Sequence, residues 1–516
     1  MKIGIDVGGT NTDSVLIDGK KVVASVKATT SKDVLQGITN SLQKLFTQAS
    51  SEDVELVMLG TTHFANALVE RKGLSETAVI RFGYPYGNAL PPFVNFPEQL
   101  KAQIKGPVYM MPGGHEFDGS HISPYDEKQV YEVAKKLQND NIKAVAISSP
   151  FSPVNNEIEQ RTADILKAEI PDLAVTISSD IGSVGLLERE NAAILNSSLL
   201  LTAERIVSAL RRSLNEIGLT CPFYLTQNDG TLMNVDYVQR FPVLTISSGP
   251  TNSMRGASFL SNTNNALVID VGGTTTDVGV LINGFPRPAA NITEIAGVRT
   301  NFRMPDVFSL GLGGGTNVRF NDQHLPIIGP KSSGSQIHKD AYIFGGRTLT
   351  MTDIVVAAGY QQIGDARNVP LTKNAAHDIL QHARDMLSVT LDKMKPSREE
   401  IPAILVGGGA IIFNDITEGV SEVIRPEHAS VANAIGAAIS QIGGEVDQVI
   451  SLENLSRAEA VEQVKEQAIE QAIHAGAEPR SVEIVEFSET PLAYLPGNAS
   501  RFSVKAVGNL KEGQIQ

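Results

Sequence analysis

Apolar side chains at Ile3, Ile5 and Val7 keep the period of a strand, Val15, Leu16 and Ile17 form a second run, and the glycine pair between them predicts a β-hairpin. A third strand is expected at Val22 to Val26. The period then lengthens: Val34, Leu35, Ile38, Leu42 and Leu45 share one face of a helix running from about Lys32 to Phe46. A strand at Glu55 to Leu59, a helix that starts at Thr61 and Thr62 and runs to Arg71, and a strand at Thr77 to Arg81 complete a β-β-β-α-β-α-β order. Three antiparallel strands followed by αβ units imply a mixed sheet with helices on both faces.

From Tyr84 to Asp126 the pattern dissolves into proline, glycine and aromatic residues that cannot form one regular element, and an inserted lobe is expected there. Alternation resumes with a helix at Glu127 to Asn139, a strand at Ala144 to Ser148, a helix at Glu157 to Glu169 and a strand at Ala174 to Ile177. A long helix over Leu187 to Ile217 links to a second half, which opens near Ala266. Its later elements are helices at Asp353 to Gln361 and Asn374 to Lys393, a strand at Ala403 to Val406 and a small-residue helix at Ala429 to Gln441. Beyond Val446 an acidic helix (Arg457 to His474) and two strands (Val482 to Phe487, Phe502 to Ala506) read as a small αβ appendage. The expected fold class is α/β, with mixed-sheet domains at 1–185 and 186–446 and the appendage at 447–516.

Composition narrows the function classes. The net charge of −14 disfavours nucleic acid or an anionic membrane as the main partner. A single cysteine, Cys221, excludes an intramolecular disulfide and a multi-cysteine zinc site. With neither a targeting segment after Met1 nor an uninterrupted apolar stretch of membrane-spanning length, a soluble cytoplasmic protein is expected.

The sequence also repeats itself: IDVGGTNTD at Ile5 to Asp13 returns as IDVGGTTTD at Ile269 to Asp277, too far apart for a solenoid and suggestive of a duplicated domain. An aspartate at a strand end, two glycines and a hydroxyl-rich turn suit a phosphate, because glycine lets backbone N–H groups approach its oxygens. Gly8, Gly9, Thr10, Asn11, Thr12 and their counterparts Gly272, Gly273, Thr274, Thr275, Thr276 would form the two cradles. Asp6 and Asp270 would reach a Mg²⁺ through its waters. Asp13 and Asp277 close the hairpins, either acting on the chemistry or bonding only to turn amides.

This pair resembles the two phosphate loops of the superfamily containing sugar kinases, acetate kinase, actin and heat-shock ATPases, in which two ribonuclease-H-like domains close over ATP. AILVGGGAIIF places Gly407, Gly408 and Gly409 after a strand, as in the superfamily's adenosine loop, and HASVANAIGAAIS has the small residues of a helix packed beside the nucleotide. Up to about Val446 the chain looks most like the A-type subunit of the hydantoinase/oxoprolinase family, through GTTHFANALVERKG, LLERENAAILNSSLL, SSGP, DVGGTTTD, LGLGGGT, GPKSSGS and FGGRTLTMTD. The resemblance implies Mg-ATP-dependent opening of a cyclic amide or imide such as a hydantoin or 5-oxoproline, or ketone activation in carboxylase branches. It also implies a partner of the B-type subunit kind or a self-sufficient variant.

The resemblance extends the candidate residues. Glu188 and Arg189 match an ERE-like segment that could orient water or phosphate, although such a pair is usually structural. Thr61, Thr62 and Asn66, at a helix start, would hold substrate or simply cap the helix. Gly313, Gly314 and Gly315 would nest phosphate or substrate, or serve the backbone alone. His63 replaces a hydrophobic residue and is expected to act as a neutral hydrogen-bonding group. His115, Glu116, Asp118 and His121 could be drawn as a metal site, but read better as surface polar groups of a loop. The chain lacks the PGP-x-CY segment and is shorter than typical A subunits, so the resemblance gives a reaction class rather than a substrate. Rival readings are a small-molecule kinase and a nucleotide-switched activator or assembly ATPase; self-association stays open.

Overall fold

The computed structural model describes residues 1–9, 11–29, 34–289, 292–414, 419–453, 455–493 and 498–511. The first hairpin and its neighbours are β1 (Lys2–Val7), β2 (Asn11–Asp18), β3 (Lys21–Thr29), α1 (Val34–Leu45), β4 (Leu56–Thr61) and α2 (His63–Glu70). Next come β5 (Thr77–Phe82), α3 (Glu98–Ile104), β6 (Lys105–Met111), α4 (Glu127–Asn139), β7 (Ala144–Ser148), α5 (Glu157–Glu169) and β8 (Ala174–Ile177). Helix α6 (Leu186–Glu216) leads to β9 (Phe223–Thr226), β10 (Thr231–Met233), α7 (Val235–Arg240) and α8 (Ser248–Ser261).

The second half begins with β11 (Ala266–Val271), β12 (Thr276–Ile282) and β13 (Phe285–Pro286). Two small hairpins follow, β14 (Thr293–Ile295) with β15 (Val298–Thr300) and, after β16 (Val307–Leu310), β17 (Thr316–Phe320) with β18 (Pro326–Ser332). Helices α9 (Ile337–Asp340), α10 (Met351–Ala357) and α11 (Lys373–Met394), strands β19 (Ala403–Val406) and β20 (Val423–Ile424), and helix α12 (Ala432–Ala438) complete it. The chain closes with β21 (Gln441–Ile450), α13 (Arg457–His474), β22 (Glu483–Pro491) and β23 (Ser500–Gly508).

Both halves repeat one plan. β1 pairs antiparallel with β2 and parallel with β4, and β11 pairs antiparallel with β12 and parallel with β19. The hairpin registers match as well: Asp6 faces Asp13 and Asp270 faces Asp277. The larger sheet runs β22-β23-β21-β10-β9-β4-β1-β2-β3, the smaller β13-β12-β11-β19-β20.

Two expectations about organisation change. β5 does not continue the first sheet; it lies in a separate parallel sheet, β6-β5-β7-β8, whose strands all come from the first 185 residues. α3 and β6 both fall inside the stretch expected to be irregular, where a helix anchored by Leu100 and Ile104 is too short to show a period among so many prolines. The C-terminal appendage is part of the larger sheet as well. β21 pairs parallel with β10 and antiparallel with β23, so it runs straight through the expected boundary at Val446. The small-residue helix stops at Ala438, and the glycines after it lie in a strand: a Cβ on Gly444 would stand 2.2 Å from the Ala468 carbonyl oxygen of α13.

Helix α6 contains a stretch apolar enough by length and composition to cross a membrane, with mean hydropathy 1.3, yet 67 % of that stretch is inside the protein. Ala192, Ile194, Leu195 and Leu199 are buried in one core with Ile3, Ile5 and Phe64. Helices α8 and α12 cross between the two halves at backbone contact. A Cβ on Gly256 would lie 1.8 Å from the Ala432 carbonyl oxygen, and one on Gly436 1.7 Å from that of Asn252. This crossing fixes the hairpins relative to each other.

Candidate functional site

The two hairpin turns face one cleft of about 170 Å³. Gly8, Gly9 and Asn11 line it from the first half, and Gly272, Gly273, Thr274 and Thr275 from the second. Each turn closes the same way: Gly8 N donates to Asn11 O at 2.9 Å, and Gly272 N to Thr275 O at 2.8 Å. A Cβ on Gly9 would meet no atom within 4 Å and would project into open space, which is what a cradle for phosphate oxygens requires. Gly407 and Gly408, following β19, line the same cleft, so all three glycine motifs converge. Thr10 lies outside the described residues.

Asp6 is the penultimate residue of β1 and is 5 % exposed. Asn252 Nδ2 donates to its Oδ1 at 3.2 Å and Asn433 Nδ2 to its Oδ2 at 3.0 Å. Burial nevertheless pushes its pKa up to about 6, with Asp13 and Asp270 adding to the rise. Asp270 is raised too, mainly by burial, although the Ser253 side chain hydrogen-bonds to it. Asp13 is raised by burial against the opposing pull of Lys27, whose Nζ donates to both of its oxygens at 2.8 and 2.7 Å.

Two carboxylates whose ionised forms are disfavoured by burial fit a divalent cation. Among the described residues no group of three or more His, Cys, Asp or Glu could hold a metal alone. That donor set suits Mg²⁺, which keeps waters and takes phosphate oxygens alongside one or two carboxylates. Sequence reasoning missed Lys27, Ser253, Ser430 and Asn433, which also line the cleft. Lys27 sits one residue beyond the expected third strand, and it meets Asp13 only through the β2–β3 register.

Other expected site residues lie elsewhere. Thr12 and Thr276 are fully buried, and Thr276 Oγ1 donates to Leu312 O at 2.6 Å. Asp277 accepts from Ser309 Oγ, and burial pushes it up to about 6. Gly313, Gly314 and Gly315 form the backing of the second turn: Gly314 N donates to Gly272 O and Gly315 N to Gly273 O, at 3.0 and 2.7 Å. Gly409 N likewise donates to Val271 O at 2.8 Å.

Arg189 is 1 % exposed and turned into the protein, donating to Ser178 Oγ, Ser183 O and Ser149 O at 2.9, 3.0 and 2.6 Å. Glu188 pairs with Arg299 at 4.0 Å. The fully buried partner in that segment is Glu190, which pairs with Arg81 and accepts from Ser148 Oγ at 2.7 Å. The segment therefore fastens α6 to the parallel sheet rather than facing the cleft. Thr61 lies one residue past Gly60, the Cα partner of Asp6, and its hydroxyl meets His63 Nδ1 at 2.6 Å. Thr62 accepts from Asn66 Nδ2 at 3.3 Å, so these residues make local bonds at the start of α2 and do not line the cleft. His115, expected at the surface, is buried, its ring 4.8 Å from that of His121, while Asp118 is taken by Ser120.

Known proteins resemble this chain in sequence and in fold. The family model for the hydantoinase/oxoprolinase N-terminal region matches residues 2–170, and the hydantoinase/oxoprolinase model matches residues 189–365. Caprolactamase subunit alpha of Pseudomonas jessenii is 27 % identical over 74 % of this chain and 58 % of its own length. Acetophenone carboxylase gamma subunit of Aromatoleum aromaticum is 26 % identical over 69 % of this chain and 53 % of its own. The chain thus spans little more than half of these relatives. The crystal structure of the ATP-dependent caprolactamase of P. jessenii aligns with a TM-score of 0.79 at 19 % identity, over 99 % of this chain and 88 % of that one. A nucleotide-free acetone carboxylase structure aligns at 0.69 and 18 %, with the same coverage. Duplicated hairpins, shared cleft and family matches together make this chain a member of the hydantoinase/oxoprolinase family.

Proposed function

We propose that this chain binds Mg-ATP between its two glycine hairpins and transfers the terminal phosphoryl group to the carbonyl oxygen of a cyclic amide or imide, of the hydantoin or 5-oxoproline class. The observation that carries the reading is the convergence of Gly8, Gly9, Gly272, Gly273 and Gly408 on one cleft lined by Asp270, with Asp6 bonded to the cleft residue Asn433. The name of the caprolactamase relative, an ATP-dependent enzyme acting on a lactam, supports it.

The chemistry is balanced as follows. An amide carbon is a poor electrophile; forming an O–P bond at its oxygen, as the bond to ADP breaks, makes that carbon open to water. Water adds, the ring C–N bond breaks with a proton passing to the nitrogen, and a second water releases phosphate. In-line phosphoryl transfer needs positioning and charge neutralisation above all. With the Gly8 and Gly272 amides closing their turns, the amides of Gly9 and Gly273 would hold the phosphates, and Asp6 and Asp270 would hold Mg²⁺ through its waters. The ion would neutralise phosphate charge. Asn252, Asn433 and Ser253 keep the two carboxylates aimed at it.

A second reading, ATP-driven activation of a ketone for carboxylation, is favoured by the likeness to acetophenone carboxylase gamma subunit. Both named relatives are subunits, so a partner of the B-type kind belongs to either reading. ADP and phosphate release across hydantoin, 5-oxoproline, lactams, ketones with bicarbonate, and sugars separates them, run with and without a candidate B-type subunit. Stimulation by lactam or imide is the expected result. A stable phosphorylated sugar product would overturn the proposal in favour of a kinase.

A further inference from the structure

Lys27 is the sole cationic side chain among the described residues lining the glycine cleft. It stands on β3 directly across from Asp13 on β2, and both carboxylate oxygens of Asp13 accept from its Nζ. A cross-strand ion pair on a surface contributes little to stability, about 0–1 kcal/mol, and would need no further explanation. This pair differs in two ways. The Asp13 side chain is only 3 % exposed while that of Lys27 is 34 % exposed, so the carboxylate is the fixed member and the ammonium the one that reaches outward. Lys27 also crosses from one half to the other: its Cε would lie 3.9 Å from a Cβ on Gly408, which follows β19 of the smaller sheet. That is ordinary van der Waals range, so the lysine stem lies against the Gly408 turn.

An ammonium carries three donors, and the two described bonds go to Asp13. The third faces a cleft whose other donors are turn amides and small polar side chains. We propose that Lys27 is a phosphate ligand that spans the two halves, held by Asp13 and donating to the polyphosphate of the bound nucleotide, so that it discriminates triphosphate from monophosphate. Asp13 acts here as a positioning residue. This rests on the ATP reading above and assigns to Lys27 a role that the glycine turns alone do not fill: a full charge rather than a dipole, placed where the halves meet.

The test compares ATP with AMP, each with Mg²⁺, by calorimetry on the full chain. For Lys27→Met, affinity for ATP should fall about 10- to 100-fold, the loss of one charge-assisted hydrogen bond, while AMP affinity stays within about twofold. Lys27→Arg should recover most of the ATP affinity, and Asp13→Asn should lose part of it. A merely structural lysine would weaken both nucleotides equally or neither, and either result overturns the assignment. If Lys27→Met unfolds, the Arg and Asp13→Asn variants still decide: an unchanged ATP-to-AMP ratio in Asp13→Asn overturns it. Wild-type protein that binds neither nucleotide would instead overturn the ATP reading itself, and this inference with it.

Discussion

Asn252 of helix α8 donates to Asp6 of the first hairpin, and the residue after it, Ser253, bonds to Asp270 of the second. One helical step thus serves both acids of a duplicated site, although Asp6 and Asn252 are 246 positions apart. Any shift of α8 moves both carboxylates together. Asn252→Ala should therefore raise the Mg²⁺ concentration needed for half-maximal ATP turnover and cost about 1–3 kcal/mol of stability, since buried Asp6 loses a donor. Magnesium titration of turnover and urea unfolding measure the two effects; a variant unchanged in its Mg²⁺ requirement would contradict the assignment.

Asp6→Asn separates function from stability. The pKa of Asp6 is raised from 3.8 to about 6, so the folded protein without metal keeps a proton that the unfolded chain has lost. The associated stabilisation is complete below 3.8 and disappears as pH rises through 6. At pH 7 the ionised, buried carboxylate then costs on the order of 3 kcal/mol. The oxygen of a new carboxamide can still accept from Asn252 or Asn433. Asp6→Asn should abolish Mg-ATP turnover while leaving the metal-free protein as stable as wild type at pH 7, or more so. Denaturation curves at pH 4.5 and 7 should show the wild type losing more stability between them than the variant.

Gly436→Ala tests the helix crossing. Its Cβ would fall 1.7 Å from the Asn252 carbonyl oxygen, a backbone atom that cannot rotate away. Overpacking of this kind costs about 1–3 kcal/mol and sometimes more. Because the same displacement carries Asn252 away from Asp6, the melting temperature and the nucleotide affinity should fall together; an intact affinity in a destabilised protein would refute the coupling.

Lys505 on β23 reaches Asp229, in the turn between β9 and β10, at 2.9 Å, and both side chains are nearly inaccessible. Burial favours neutral Lys505 while Asp229 holds it charged. Removing one member of such a pair costs about 3–5 kcal/mol because the other is left buried and unpaired. Lys505→Met should destabilise the first half, not merely loosen the C-terminal strands. Hydrogen exchange on β4 and β9 reports this directly: protection lost there supports the coupling, whereas loss confined to β22 and β23 argues that the C-terminal segment stands alone.

Much of this molecule was legible in order along the chain. Helix and strand periods located α4, α5, β7, β8, β19 and α13 at their observed bounds, because each carries its own buried face and its own stop signals. The twin IDVGGT segments revealed the duplicated hairpin, since a turn that must present backbone amides tolerates few residues. Tertiary structure decided the rest. Sheet membership is a matter of pairing between distant segments, so neither the parallel sheet around β5 nor the union of β21 with β10 has a local signature. The same holds for the site. Asp6 and Asp270 stand out in the repeated motif, but Ser253, Asn433 and Lys27 are ordinary polar residues until folding brings them to the cleft, and so is Asn252 until it meets Asp6 behind it. Arg189 runs the other way: its segment looked chemical, and burial turned its guanidinium onto the backbone carbonyls that fix helix α6.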